Sequence, residues 1–196
     1  MDERERLLAR RKLLREATTA TGLGIGLWAS WPFLESLAPS ERAKAAGAPV
    51  AANFSGLGDG ELQTVEWRGK PVWILRRSAS VLAELGKHDD LLSDPTSLRD
   101  QQPEYCRNPT RSIKPGILVA VGICTHLGCS PLLRPVGAGA EELGSNWPGG
   151  FFCPCHGSKF DLAARVFRNV PAPSNLEIPP HRYVGETSIV IGEDPA

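Results

Sequence analysis

The runs Cys124-Thr125-His126-Leu127-Gly128-Cys129 and Cys153-Pro154-Cys155-His156-Gly157-Ser158 constrain this chain more than any other feature. Together they hold four of its five cysteines and two of its four histidines. Each run offers one Cys and one His able to reach a common centre, plus a spare Cys. The C-x-H spacing turns two alternate side chains the same way on an extended loop, and C-x-x-H does so across a tight turn. A fold that uses both must bring two separate loops together. Gly128 and Gly157 suit loops that pass close to a bulky centre, because they carry no Cβ.

Two thiolates and two imidazoles form the ligand set of a mixed [2Fe–2S] cluster, in which two histidines replace two cysteines on one iron. Neutral imidazole removes negative charge from that iron and makes reduction easier. Cys124 and Cys153 are assigned to one iron, His126 and His156 to the other. The spare sulfurs, Cys129 and Cys155, come close together if the loops clasp one centre. A disulfide between them would lock the loops and predicts an oxidising final compartment. A structural zinc site is the competing reading. Its usual knuckles are C-x2–4-C and H-x3–5-H, which neither run has, and six candidate ligands exceed one tetrahedral ion.

These runs match, without a gap, the cluster-binding boxes of a known family. The chain resembles the Rieske iron–sulfur subunit of the bacterial cytochrome bc1 complex, ubiquinol–cytochrome c reductase. Ser97 to Tyr105 resembles a segment typical of that family, Val170-Pro171-Ala172-Pro173 its cluster-shielding proline loop, and Gly69 to Trp73 an early strand turn. The resemblance covers nearly the whole chain. It implies Cys124, His126, Cys153 and His156 as cluster ligands and a Cys129–Cys155 disulfide. It also implies that the Ser158 hydroxyl donates to a bridging sulfide, which raises the potential. Two positions depart from the family pattern. Phe160 stands where many members carry a tyrosine that donates to a ligand sulfur, so a lower potential is expected. Ala164 stands where glycine is frequent, so a turn requiring positive φ would strain it.

Formal net charge is zero, which gives no reason to expect a nucleic-acid partner. The charge is unevenly placed: residues 1–16 carry six basic and four acidic side chains, the remainder 16 and 18. Ala17 to Leu34 is uncharged, with Trp28 and Trp31 near its far end. This run is at the short end of a membrane span and is only mildly hydrophobic. Arg10-Arg11-Lys12-Leu13-Leu14 resembles a twin-arginine export signal, a route that carries folded cargo. A cleaved signal peptide is the alternative, with Ala43 to Ala48 able to imitate a cleavage site. The family resemblance implies an uncleaved anchor. The expected organisation is a cytoplasmic segment at 1–16, a transmembrane anchor at 17–38, a hinge or tether at 39–50 and a head at 51–196, with the cluster-binding tip at about 122–174. That places the protein in the bacterial inner membrane, single-pass, with its head on the periplasmic side.

Gly 20 and Pro 17 suit short strands joined by turns. Leu62 to Trp67 alternates, and Val72 to Leu75 follows a turn at Arg68–Pro71, which signals a hairpin. Ile117 to Val121 reads as a buried strand entering the first ligand loop, and Thr187 to Ile191 as a closing strand. Ser80 to Gly86 suits a short helix, and residues 134–150 a surface loop. The expected fold class is all-β, an antiparallel Rieske-type head behind a single N-terminal transmembrane helix. Trp67 and Trp73 are read as core, Cys106 as a buried apolar side chain, and His88 and His181 as structural or surface histidines.

The resemblance further implies one [2Fe–2S] cluster as cofactor, and cytochrome b, cytochrome c1, ubiquinol and the inner membrane as partners, in a dimeric complex. As part of a proton-translocating quinol–cytochrome c oxidoreductase, His156 would contact quinol and His126 would titrate as the second ligand. Leu127 would form an apolar docking surface, and the head would swing on its tether. The competing functions are a Rieske carrier of another periplasmic enzyme, such as an arsenite-oxidase-like small subunit, and a zinc-stabilised binding module.

Overall fold

The computed structural model describes residues 2–40, 43, 45, 47–138, 143, 144 and 146–195. The chain divides into two compact units, Met1–Ala45 and Ala46–Ala196. Part of the expected tether, residues 41, 42, 44 and 46, lies outside the described residues, as do residues 139–142 and 145 of the loop between the two boxes.

The first unit is dominated by one helix, α1, Glu3–Ser36, which runs continuously through the basic segment and the uncharged run. Asp2 precedes it, and the Glu5 carboxylate accepts the Asp2 N–H at 3.0 Å, satisfying a donor at the start of the helix. None of its residues is buried. No helix among the described residues is long and apolar enough to cross a membrane. Gly22, Gly24, Gly26 and the three threonines at 18, 19 and 21 dilute its apolar content.

The second unit is all-β and antiparallel. Its strands are β1 Val50–Asn53, β2 Leu62–Trp67, β3 Lys70–Arg76, β4 Ile117–Val121, β5 Leu132–Arg134, β6 Gly150–Cys153, β7 Ser158–Phe160, β8 His181–Tyr183 and β9 Ser188–Ile191. They form three three-stranded sheets, ordered β1-β9-β8, β2-β3-β4 and β5-β6-β7. A short helix α2, Ala79–Glu84, follows β3, with the Ser78 hydroxyl accepting the Val81 N–H as its N-cap.

The β2–β3 turn is tighter than the sequence suggests. Trp67 pairs with Lys70, leaving only Arg68 and Gly69 between the strands, at φ 54° and 70°. Two successive positive φ values suit the twist of a two-residue hairpin, and Gly69 supplies one without strain. Pro71 therefore lies within β3.

Strands β3 and β4 are apolar on both faces because the sheet they share is covered on both. Trp73, Leu75, Leu118 and Ala120 pack into one core, which also contains Cys124, Phe151, Cys153 and Phe160. Val72, Ile74, Ile117, Val119 and Val121 pack into a second core with Ile189 and Ile191 of β9. Alternation of side chains along each strand divides them between the two. Trp73 stacks on Phe151 of β6, ring centroids 4.7 Å apart. Gly122 makes room for it, since a Cβ there would lie 2.2 Å from the Trp73 ring. Trp67 and Trp73 are thus core residues. The loop between the boxes contributes to packing as well: Leu143 and Trp147 are buried with Phe152 in a third small cluster, against which Phe167 packs.

His181 is buried, its Nδ1 2.9 Å from the Pro179 carbonyl oxygen. Burial holds its imidazole below the usual range, against the raising influence of the Pro179 carbonyl and Asp194. The folded chain therefore binds this proton less readily than the unfolded chain. The contribution to stability is present above the unfolded-state value of about 6.5 and is lost as pH falls below it. Thermal melts of the head should show Tm declining from pH 6.5 towards 5, and His181→Asn should make that decline shallower. An identical acid limb in the variant would contradict this account.

Candidate metal centre

Strand β4 ends at Val121, and the chain enters the first ligand loop through Gly122. In that loop the Gly128 N–H donates to the Cys124 carbonyl at 3.1 Å, and the Cys124 N–H donates to the Cys129 carbonyl at 2.7 Å. The second loop joins β6 to β7, where the Gly157 N–H donates to the Cys153 carbonyl at 2.9 Å. Both loops therefore close the same way, from a cysteine to a glycine four residues on. Gly128 and Gly157 have φ 85° and 77°, and a Cβ on either would meet no protein atom within 4 Å. Left-handed backbone is thus one reason for glycine at both positions, since a side chain there would be strained even with space around it.

The two loops meet. Cys129 and Cys155 form a disulfide across a sequence separation of 26 residues. Cys124 and Cys153 are both buried, and both thiols are free. The His126 and His156 rings lie 4.8 Å apart, nearly perpendicular at 88°. His156 is exposed and His126 half-buried. The sulfurs thus face inward and the imidazoles outward. Leu127, between them and the disulfide in sequence, is 71% exposed.

Burial pushes the Cys124 thiol up, as does the neighbouring Cys153, while the His126 backbone N–H and the Ser158 hydroxyl pull it down. Ser158 is fully buried at the start of β7, and its Oγ accepts the Ala172 N–H at 3.0 Å. That bond fixes the oxygen and leaves its hydrogen free to donate towards sulfur. Ala172 belongs to the proline loop. The Thr125 hydroxyl donates to the Ser174 carbonyl at 2.7 Å, so this loop is fastened to both ligand loops.

The Cys129, Cys153 and Cys155 sulfurs lie within 4.8 Å of one another. The disulfide removes Cys129 and Cys155 as thiolates, which leaves the Cys124 and Cys153 thiols and two imidazoles in the two loops. Those donors suit a mixed-ligand iron–sulfur cluster, with paired sulfurs on the inner side and imidazoles on the outer. The donor types alone also match a tetrahedral zinc, so once the disulfide is made the excess of ligands no longer argues against zinc.

Several supporting residues carry no signal in linear sequence. Asp161 is fully buried, and its Oδ2 accepts the Arg165 Nε–H at 2.8 Å, with His88 Nε2 3.6 Å away. The nearby His88 and the charge and hydrogen bonds of Arg165 hold the Asp161 carboxyl below the usual range despite its burial. His88 is stacked on Phe167 and is a structural histidine. Ala164 has φ 61° and is fully buried, so the strained turn expected there is present. Cys106 is buried, outside any Cys, His or carboxylate group able to hold a metal among the described residues.

The profile of the Rieske [2Fe-2S] domain matches residues 49–180. The chain is 61% identical over 186 residues to the ubiquinol-cytochrome c reductase iron-sulfur subunit of Allochromatium vinosum, covering 94% of this chain and 89% of that protein. The subunits of the same name from Blastochloris viridis and Bradyrhizobium diazoefficiens are each 39% identical, covering 93% of this chain and 92% and 94% of theirs. The match decides between the two metals that the donors admit: the cofactor is a Rieske-type [2Fe–2S] cluster. Domain match, near full-length identity and the meeting of the two loops agree, and the chain belongs to the family of Rieske iron–sulfur subunits of ubiquinol–cytochrome c reductase, the electron-transfer subunits of that enzyme.

Proposed function

We propose that this chain takes an electron and a proton from ubiquinol and passes the electron to cytochrome c1, within a dimeric cytochrome bc1 complex that also contains cytochrome b. The observation that carries the reading is the pairing of buried thiols with two outward imidazoles in one locked site. Cys124, Cys153, His126 and His156 would hold the cluster, which supplies reversible one-electron chemistry when bound. His156, the more exposed imidazole, would present its free nitrogen to the quinol hydroxyl and receive its proton. His126 would be the second imidazole ligand. Exposed Leu127 supplies an apolar contact for cytochrome b. Ser158, fixed by Ala172, would donate a hydrogen bond on the sulfur side and favour the reduced state. The tip at about 122–174 would move between quinol and haem on the tether at 39–50.

The anchor reading for 17–38 rests on the uncharged part of α1. Leu23, Ile25, Leu27, Trp28, Trp31, Phe33 and Leu34 are all exposed, and a basic segment precedes them. The Thr18, Thr19 and Ser30 hydroxyls donate to carbonyls four residues earlier, so they need no outside partner in lipid. With the basic flank inside, the head lies on the periplasmic side of the inner membrane. EPR of reduced, salt-washed membranes, with and without a quinol-site inhibitor, tests the whole reading. A retained signal that shifts on inhibitor binding is expected. A signal lost to the wash, or indifferent to the inhibitor, would count against it.

Phe160 is fully buried on β7, opposite Phe151, in the core that contains both thiols. Phe160→Tyr would add a hydroxyl donor on the sulfur side. We expect the reduction equilibrium to shift in favour of the reduced form by on the order of tenfold, about 59 mV for one electron. A redox titration showing an unchanged or lower midpoint would defeat this.

A further inference from the structure

Three guanidiniums lie inside the head: Arg77, Arg111 and Arg165 are 4%, 0% and 1% exposed. Two carboxylates, Asp94 and Asp161, are buried with them. Arg165 is paired with Asp161 and also reaches Asp89. Asp94 accepts the N–H groups of Leu98 and Arg99. Arg77 and Arg111 contact no carboxylate among the described residues. Arg111 donates to the carbonyls of Ala163, Ala164 and Leu176 and to Gln102 Oε1 at 2.9 Å. Arg77 donates to the carbonyls of Thr110, Leu162 and Pro115 and to Ser112 Oγ at 2.7 Å. Burial pushes both down to about 10, so both remain charged at neutral pH.

Holding two buried cations whose direct acceptors are all neutral is an expensive arrangement: Asp161, and for Arg111 also Asp94, offset their desolvation only through space, and the three buried arginines still outnumber the two buried carboxylates. Its placement gives it a use. Leu162, Ala163, Ala164 and Leu176, whose carbonyls hold these guanidiniums, pack in the same apolar core as Cys124 and Cys153. Buried charges are poorly screened, and their field reaches through such a core. Reduction of a cluster adds one negative charge, which a fixed positive field favours. We propose that Arg77 and Arg111 form a fixed cationic shell that raises the reduction potential of the cluster held by Cys124, His126, Cys153 and His156. The proposal rests on the ligand reading above. Both arginines are positioning residues that act through the field and through the 162–164 backbone.

The test neutralises the shell without emptying it. Gln102→Glu places a carboxylate against Arg111 with almost no change of shape, and Ser112→Asp places one against Arg77 at the cost of two added heavy atoms in a buried site. In redox titrations of the cluster-loaded complex, each should lower the reduction equilibrium at least about threefold, ~28 mV at about 59 mV per decade for one electron. Gln102→Met, which removes the hydrogen bond but leaves the charge, should not. The EPR line shape should stay that of the unaltered protein, showing intact ligation. If one carboxylate variant fails to load, the other decides. Loaded carboxylate variants with an unmoved or raised midpoint would overturn the proposal, as would an equal fall in Gln102→Met. Unaltered protein that holds no cluster would instead sink the ligand reading.

Discussion

Cys153→Ser is expected to leave a protein that binds essentially no [2Fe–2S] cluster, and Cys106→Ser a protein that binds it fully. Both cysteines are buried and both are free, so burial does not separate them. Their surroundings do. Cys153 ends β6 with its sulfur within 4.8 Å of those of Cys129 and Cys155, at the loop that the disulfide clasps against its neighbour. Cys106 lies at the end of a short 3-10 turn, where burial pushes its thiol up to about 11. A serine hydroxyl is a poor substitute for a thiolate towards iron. Loss of a direct ligand should exceed the roughly 10–100-fold cost typical of residues one step removed from a metal. Iron content and the visible spectrum of the two variants check this. Retention of the cluster in Cys153→Ser, or its loss in Cys106→Ser, would reassign the ligands.

Removing the disulfide, by Cys129→Ser with Cys155→Ser, is expected to cost stability and cluster retention together. Closing a loop of 26 residues restricts the unfolded chain by about 3.5 kcal/mol on a loop-entropy basis. Denaturant unfolding of the head should register most of that loss. The disulfide has a second effect at the site. The three sulfurs of Cys129, Cys153 and Cys155 lie within 4.8 Å of one another. Reduced, the two spare thiols would compete with Cys153 for iron. The single variant Cys129→Ser, which frees the exposed Cys155 thiol, should therefore lose its cluster faster than the double variant. Equal loss rates would show that the bond acts only as a clamp.

Cysteine and histidine carry their chemistry wherever they stand, so two loops separated in sequence could be recognised as one site from spacing alone. The hairpin and β4 were legible because alternation and apolar runs are local patterns. Local patterns do not report which strand covers which. Nothing in Val50–Asn53 announces pairing with Ser188–Ile191, and the first of those residues reads as tether. The buried arginines were invisible for the same reason. Arg77, Arg111 and Arg165 look like surface charges until carbonyls from distant turns close around them. Gly128 and Gly157 stand out in the sequence for lacking a Cβ, but the left-handed backbone that they also supply is not displayed by composition. Residues 134–150 read as a solvent loop from their glycines, yet Leu143 and Trp147 are packed, because Phe152 and Phe167 arrive from elsewhere to meet them.

The central claim is that two imidazoles and two thiolates from these loops share one pair of irons. Pulsed EPR of the reduced protein, prepared with isotope-labelled histidine, addresses it most directly. Two distinct histidine nitrogens coupled to the unpaired electron are predicted, both disappearing when His126 or His156 is replaced and the cluster is lost. A reduced sample that is EPR-silent and contains zinc, or one whose electron couples to no histidine nitrogen, would contradict it.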